Sequence, residues 1–344
     1  FQTRTLQYYG GCAVGGRIHI TALELQRTFV VVPSGSVPKL MNDDAMHLVD
    51  AHPPKPSRYW VTLAVRAVHV VLAAVVVTDL PAASTAVAHV WRVVYAIPAV
   101  HHYLFEAGVA TFSFGFWVGV YKVLDKMPCL RRFRFDGAGV DQQVSALNSW
   151  LGAVAYFILI WAYHQLKVKP PPHEEPPTVR RLGVELLVGL VAYDAIEFVV
   201  HSRFHHWKVL QPFHKKHHMQ KYLTSPEVLN HGLLDAFQQV VCNVLAQFVS
   251  PWGAKHTMSR ILHNVVVTYM LTEIHAGYDG PWCMHRVWPW ICGGAERHER
   301  HHKNGSVYYS EFFKGLDDLF GSVEHDRGRE TSRGAPLSRA EKDR

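Results

Sequence analysis

Chemistry in this chain is concentrated in its histidines. The stretch "HKKHH" puts imidazoles at His214, His217 and His218, and "HERHH" repeats the spacing at His298, His301 and His302. A related stretch, "HSRFHH", covers His201 to His206. Residues three and four apart stack on one face of a helix, so H-x-x-H-H projects three rings into an arc of about 100°. His201 and His205 are likewise one turn apart, while His206 points away. Neutral imidazole is the commonest metal-binding side chain and suits iron, zinc and copper.

Histidine supplies 24 of the 344 residues, so one H-x-x-H-H arises by chance roughly 0.1 times in such a chain. Two of them beside an H-x-x-x-H-H are not a chance expectation. The plainer alternative is a set of solvated basic stretches near lipid headgroups. Eight clustered histidines exceed the three or four protein ligands of one zinc, which argues for two metals.

Asp194 and Glu197 precede His201 by two turns and one turn on the same helical face, at the mouth of an apolar segment. Carboxylates at membrane depth are costly and usually functional, and these could hold the second nitrogen of a ligand histidine. Pairing with Arg66 or capping a helix is an equally open reading.

The elements that must position these residues are apolar. Segments 60–80, 102–124, 149–166 and 182–200 read as membrane spans, the first interrupted by Arg66 and His69. The Pro-rich "KPPPHEEPP" between the last two suits a hairpin loop. The basic cluster Lys122, Lys126, Arg131, Arg132 and Arg134 marks a cytosolic or matrix face, which four crossings would share with all three histidine clusters. Lys167, Lys169, Arg180 and Arg181 place charge on the other side and weaken that topology. Runs 233–249 and 261–274 read as buried or interfacial helices.

The expected fold is all-α: an integral membrane protein with about four transmembrane helices and a helical histidine-box domain on one face. Its parts are an extended arm at 1–59, a helical membrane region at 60–200, a di-metal domain at 201–323 and a disordered charged tail at 324–344. A net charge of +7 would suit nucleic acid or an anionic membrane surface, and the apolar segments favour the membrane. Five cysteines without a C-x-x-C pair argue against a disulfide scaffold.

The pieces "DAIEFVVHSRFHH", "FHKKHH", "TEIHAGYDGPWCMHRVWPW", "GGAERHERHH" and "LDDLFGS" resemble the fatty acid hydroxylase superfamily of membrane di-iron oxygenases. "EIHAGYDGPW" followed by "HRVWP" is most similar to its sterol-acting branch. Carried over by position, the resemblance implies that His201, His205, His214, His217, His218, His275, His298, His301 and His302 bind two irons, with zinc able to substitute. It alone brings in His275 and, as an outer partner, Glu273. His285 also lies in a matched stretch, whereas His231 sits in the "EVLNHGLLD" context of the branch lacking that ligand and is left out. His69, His89, His101, His102, His164, His256, His263 and His325 fall outside the pattern. Two departures stand out: Ser202 replaces an arginine, and Tyr308-Tyr309 replaces an Asn-Tyr pair.

The resemblance implies hydroxylation of a sterol or other lipid C–H bond with O₂ and electrons from an external NADPH-linked donor protein, since no G-x-G-x-x-G opens a helix here. It also implies the endoplasmic reticulum. A chain opening on Phe1 admits a removed targeting peptide and a mitochondrial or plastid membrane. Two rivals remain: a catalytically silent accessory subunit of a larger membrane complex, and an all-zinc lipid hydrolase.

Overall fold

Apolar runs become helices wherever they are long enough to close their own backbone hydrogen bonds. The computed structural model describes residues 6–7, 17–18, 59–135, 146–166, 170–219 and 223–324. Its helices are α1 (Tyr59–Thr78), α2 (Pro81–Tyr95), α3 (Phe105–Asp125), α4 (Ala146–Leu166), α5 (Val179–His206), α6 (Gln211–His214), α7 (Leu233–Gln247), α8 (Thr257–His275), α9 (Met284–Val287), α10 (Gly294–Asn304) and α11 (Gly315–Phe320). The described strands are one antiparallel ladder, Leu6 opposite Ile18 and Gln7 opposite Arg17. The rest of the expected arm, and the charged tail beyond Glu324, lie outside the described residues.

Four crossings are not established. Among the described residues two helices, Tyr59–Thr78 and Phe105–Asp125, are long and apolar enough to cross a bilayer. The apolar part of α4 is shorter, Trp150–Leu166. The segment expected to span at 182–200 lies within α5, which runs 28 residues and buries Glu185, Asp194 and Glu197. Those carboxylates mark it as a post inside a helical bundle more than as a lipid-facing span. Helix α2 lies outside the four apolar segments. It opens at Pro81, whose fixed φ suits a first helical turn, and buries one large residue, Trp91, against the Pro-rich loop through the His173 carbonyl at 3.0 Å.

The main core lies where α3, α5, α7 and α8 meet. It joins Val118 of α3, Leu190 and Tyr193 of α5, Cys242 and Ala246 of α7, and Val267, Met270, Leu271 and Ile274 of α8. Both runs read as buried or interfacial, 233–249 and 261–274, belong to this bundle as α7 and α8. Helix α8 starts at a cap supplied by His256, whose Nδ1 accepts from Met258 N at 3.0 Å. Helix α5 starts at Thr178, whose hydroxyl accepts from Arg181 N at 3.1 Å. Helices α1 and α5 approach through Gly183, where an added Cβ would collide with Val76.

Polar pairing locks α3 to α8. Arg260 donates to both Glu106 oxygens at 2.9 Å, and Asn264 Nδ2 donates to the Glu106 carbonyl at 3.3 Å. A fork-to-fork pair of this kind fixes both distance and rotation. Replacing Arg260 by Met takes both of these charge-assisted hydrogen bonds from a largely buried carboxylate, at a cost of about 3–5 kcal/mol. Thermal unfolding in detergent should show a clear drop for R260M and substantial recovery when Glu106→Leu is added; equal melting temperatures for wild type and R260M would contradict this.

Candidate metal centre

Four separate stretches deliver the histidines. The last turns of α5 carry His201 and His205. Helix α6 ends at His214, and a 3-10 turn, His217–Met219, carries His217 and His218. His275 is the last residue of α8, and α10 carries His298, His301 and His302. Gly305 terminates α10 in the left-handed conformation at φ 62°, which glycine adopts without strain.

The rings gather into two buried groups. His201, His205, His214, His218 and His301 form one, and His217, His275, His298 and His302 form the other; within each, the ligand atoms lie within 4.8 Å of one another. All nine positions named from the sequence are therefore brought together. The boxes themselves divide. "HKKHH" is not one helix: the chain turns at Lys215–Lys216, sending His214 and His218 to the first group and His217 to the second. On α10, His301 joins the first group while His298 and His302 join the second. Each H-x-x-H-H box thus serves both groups instead of presenting one three-ring face.

The spacing of the nitrogens fits ligands around cations. In the first group Nε2–Nε2 distances are 3.0 Å for His201–His214 and His214–His218, 3.1 Å for His201–His301 and 3.3 Å for His201–His205. In the second they are 2.9 Å for His275–His298, 3.1 Å for His298–His302 and 3.2 Å for His217–His275. Bonds of about 2.0–2.1 Å to a shared ion would set neighbouring nitrogens about 2.9–3.4 Å apart.

Tautomers sharpen the point. His201 Nδ1 faces the Tyr309 carbonyl at 3.0 Å, and His301 Nδ1 faces the Val307 carbonyl at 2.6 Å. His214 Nδ1 faces Asp235 Oδ1 at 3.1 Å, and His275 Nδ1 faces the Leu271 carbonyl at 2.8 Å. A carbonyl or carboxylate oxygen only accepts, so each Nδ1 carries the proton and each Nε2 keeps a bare lone pair. The Nε2 atoms of His201, His214 and His301 then confront one another as three acceptors. No hydrogen bond can join them; a cation can. Burial, joined by neighbouring imidazoles, pushes His205 down to about 2 and His218 down to about 3. Burial holds His275 at about 3. These three rings stay neutral, which is the state that binds metal.

Two carboxylates that sequence reasoning passed over orient these rings. Glu311 lies between the groups, with Oε1 3.3 Å from His201 Nδ1 and Oε2 3.6 Å from His298 Nδ1. Asp235 holds His214 and also His231, whose Nδ1 is 2.9 Å from Asp235 Oδ2. His231 Nε2 faces the Val228 carbonyl at 2.7 Å, so both its nitrogens donate and neither can bind a metal. Burial opposes protonation of His231, but Asp235 more than offsets it and raises the ring above its ordinary value. Only their positions within "EVLNHGLLD" and "YYSEFF" could have marked Asp235 and Glu311.

The three carboxylates expected to hold ligand rings do other work. Asp194 accepts from Phe312 N at 2.7 Å and Phe313 N at 3.3 Å, anchoring the strand of chain that carries Glu311 and Tyr309. Glu197 accepts from Gln238 at 3.2 Å, and Glu273 accepts from Met284 N at 2.7 Å. Their place is taken by backbone carbonyls because each ring already points along its helix or into the loop after α10. Arg66 pairs with neither Asp194 nor Glu197; it donates to the Val287 carbonyl at 2.6 Å. His206 turns to the Ser202 carbonyl at 2.6 Å. His285 sits outside both groups, its Nε2 3.0 Å from Asp279, in a buried trio with Glu273 and Cys283. The two departures spare the rings: Ser202 bonds the Val199 carbonyl at 2.9 Å, and Tyr309 contributes its backbone oxygen to His201.

Comparison with known proteins matches the stretch of chain that holds these rings. Residues 186–322, which hold every histidine of both groups, match the family model for fatty acid hydroxylase. The matched region thus resembles a fatty acid hydroxylase domain, and relatives similar to the chain carry the name cholesterol 25-hydroxylase. Among its relatives, a cholesterol 25-hydroxylase-like protein of Danio rerio is 32% identical over 155 residues, covering 44% of this chain and 60% of the relative. Cholesterol 25-hydroxylase of Mus musculus is 26% identical over 237 residues, covering 62% of this chain and 75% of the mouse protein. The Homo sapiens protein of that name is 26% identical over 218 residues, 57% and 74% of the two chains. No solved structure matches.

Removing an orienting carboxylate from a metal-binding histidine typically costs 10- to 100-fold in metal affinity. Asp235→Ala and Glu311→Ala are therefore expected to weaken metal retention by about that factor, measured as metal per chain after graded chelator dialysis. Retention equal to wild type in both variants would contradict the orienting role.

Proposed function

We propose that the protein hydroxylates a C–H bond of a lipid, a sterol in particular, using O₂ and electrons from an external NADPH-linked donor protein. Two irons would be held by the nine histidines, five rings around one and four around the other. When bound, they would supply the oxygen chemistry that no side chain can perform. The observation that carries this reading is the meeting of bare Nε2 lone pairs from segments far apart in the chain, inside a domain matching fatty acid hydroxylases.

The chain's own residues contribute position, dryness and neutrality. Asp235, Glu311 and the carbonyls of Leu271, Val307 and Tyr309 aim the rings, and burial excludes water. A cavity of about 760 Å³ lies between α3, α4, α7 and α8, a size ordinary for small-molecule sites. His231 is part of its wall and stacks on His217 of the second group, with ring centroids 4.5 Å apart. Phe112, Phe116 and Trp150, which also line it, are exposed on the outer face of the bundle. A lipid entering past these aromatics would bring its leading end toward the metal-binding rings. We place the protein in a membrane, the endoplasmic reticulum by family likeness, with the bilayer as the source of substrate.

The accessory-subunit reading is not favoured, because Ser202 and Tyr308-Tyr309 leave the ring geometry intact. The hydrolase reading has no observation behind it. The test uses iron-loaded protein in detergent with a chemical reductant, ¹⁸O₂ and cholesterol or a membrane lipid extract. A product carrying one labelled oxygen is expected, with at least a 100-fold loss for the His298→Ala, His302→Ala double variant. Full iron content without any labelled product from either pool would reject the proposal.

A further inference from the structure

The cavity wall is not uniformly apolar. A band of hydrogen-bonding side chains crosses it away from the histidines, made by Thr111 of α3, Tyr156 of α4, Asn243 of α7 and Asn264 of α8. Asn243 Nδ2 donates to Asn264 Oδ1 at 3.0 Å and to the Tyr156 hydroxyl at 3.3 Å. Asn264 is held at both ends of its amide, since its Oδ1 also accepts from Gln247 at 3.1 Å and its Nδ2 donates to the Glu106 carbonyl. Left over in this band are Asn243 Oδ1 and Thr111 Oγ1, both buried and without a hydrogen-bond partner; the Tyr193 hydroxyl of α5 is likewise open, elsewhere on the wall. Buried polar atoms are almost always satisfied, so an acceptor and a hydroxyl left open on a cavity wall call for a ligand group or an ordered water.

Helix geometry gives the reach. Asn264 precedes His275 by eleven residues on α8, about 16 Å at 1.5 Å per residue. Asn243 follows Asp235, the partner of His214, by eight residues on α7, about 12 Å. The polar band is thus set back from the metal-binding rings by roughly the body of a rigid lipid. Charge narrows the class. Among the described residues, no Lys, Arg, Asp or Glu lines the cavity, and the one ionic ring, His231, is at the histidine end and already paired with Asp235. A carboxylate, sulfate or phosphate seated at the band would be a buried charge without a counter-ion, which costs far more than a hydroxyl does.

We propose that Asn243 and Thr111, braced by Asn264 and Tyr156, anchor a single neutral hydroxyl at the end of the substrate remote from the oxidised carbon. The substrate class is a lipid alcohol with an apolar body about 12–16 Å long between its hydroxyl and its reacting end. The inference rests on the hydroxylase reading for which end reacts, but the anchor itself is tested without turnover.

The experiment is competition for radiolabelled cholesterol bound to the metal-loaded, unreduced protein in detergent. The competitors are cholesterol, cholest-5-ene, which lacks the hydroxyl, and cholesteryl sulfate, which replaces it with an anion. Cholesterol is expected to compete at least tenfold better than either, the effect of one or two buried hydrogen bonds. Asn243→Leu and the nearly isosteric Thr111→Val should each shrink the advantage over cholest-5-ene to about twofold or threefold, leaving cholest-5-ene binding unchanged. Equal competition by all three, an undiminished preference in both variants, or no sterol binding at all would overturn the anchor. Cholest-5-ene that binds equally well and is hydroxylated sinks the anchor and spares the proposed reaction. A tenfold preference with no hydroxylated product does the reverse.

Discussion

Everything in this molecule depends on holding several imidazole lone pairs against one another. Acceptors about 3 Å apart repel, and His201 Nε2, which meets both His214 and His301 at that distance, cannot relieve this by exchanging protons, because the Nδ1 atoms of all three rings are committed to oxygen. Such an arrangement persists only if the scaffold enforces it or a cation resolves it. The fold supplies the first condition and the donor set is suited to the second.

Enforcement comes from the two long helices that end at the site. Helices α5 and α8 pack on each other through the main core, and their C-terminal ends deliver His201, His205 and His275 to one place. Asp194 extends the control beyond the helices by capturing the backbone at Phe312 and Phe313, which sets Glu311 and the Tyr309 carbonyl against the rings. A carboxylate deep in the bundle therefore acts on the site at one remove, through the chain it holds. The same helices, with α3, α4 and α7, enclose the cavity, so packing that stabilises the bundle also shapes the route to the rings.

Much of this was legible in the sequence, and the limits were physical. Spacing identified the eight box histidines because i, i+3 and i+4 is a local pattern, and likeness to known motifs added His275. Which ring joins which group was not legible: the chain turns at Lys215–Lys216, and both H-x-x-H-H boxes split between the groups. Asp235 and Glu311 were missed since a partner brought in by tertiary contact leaves no periodic trace. Asp194 and Glu197 were rightly singled out as unusual, but helical phase alone could not say whether they meet a ring, an amide or a backbone N–H. Hydropathy alone does not settle the number of spans, because a buried bundle helix such as α5 and a lipid-facing helix share the same apolar length.

The most direct test of the central claim is metal stoichiometry combined with X-ray absorption on the purified protein. Two metal ions per chain, each in a nitrogen-rich shell at about 2.0–2.1 Å with an imidazole scattering pattern, are predicted. A metal-free protein that keeps its fold and refuses iron and zinc, or one ion per chain with mostly oxygen ligands, would contradict the account.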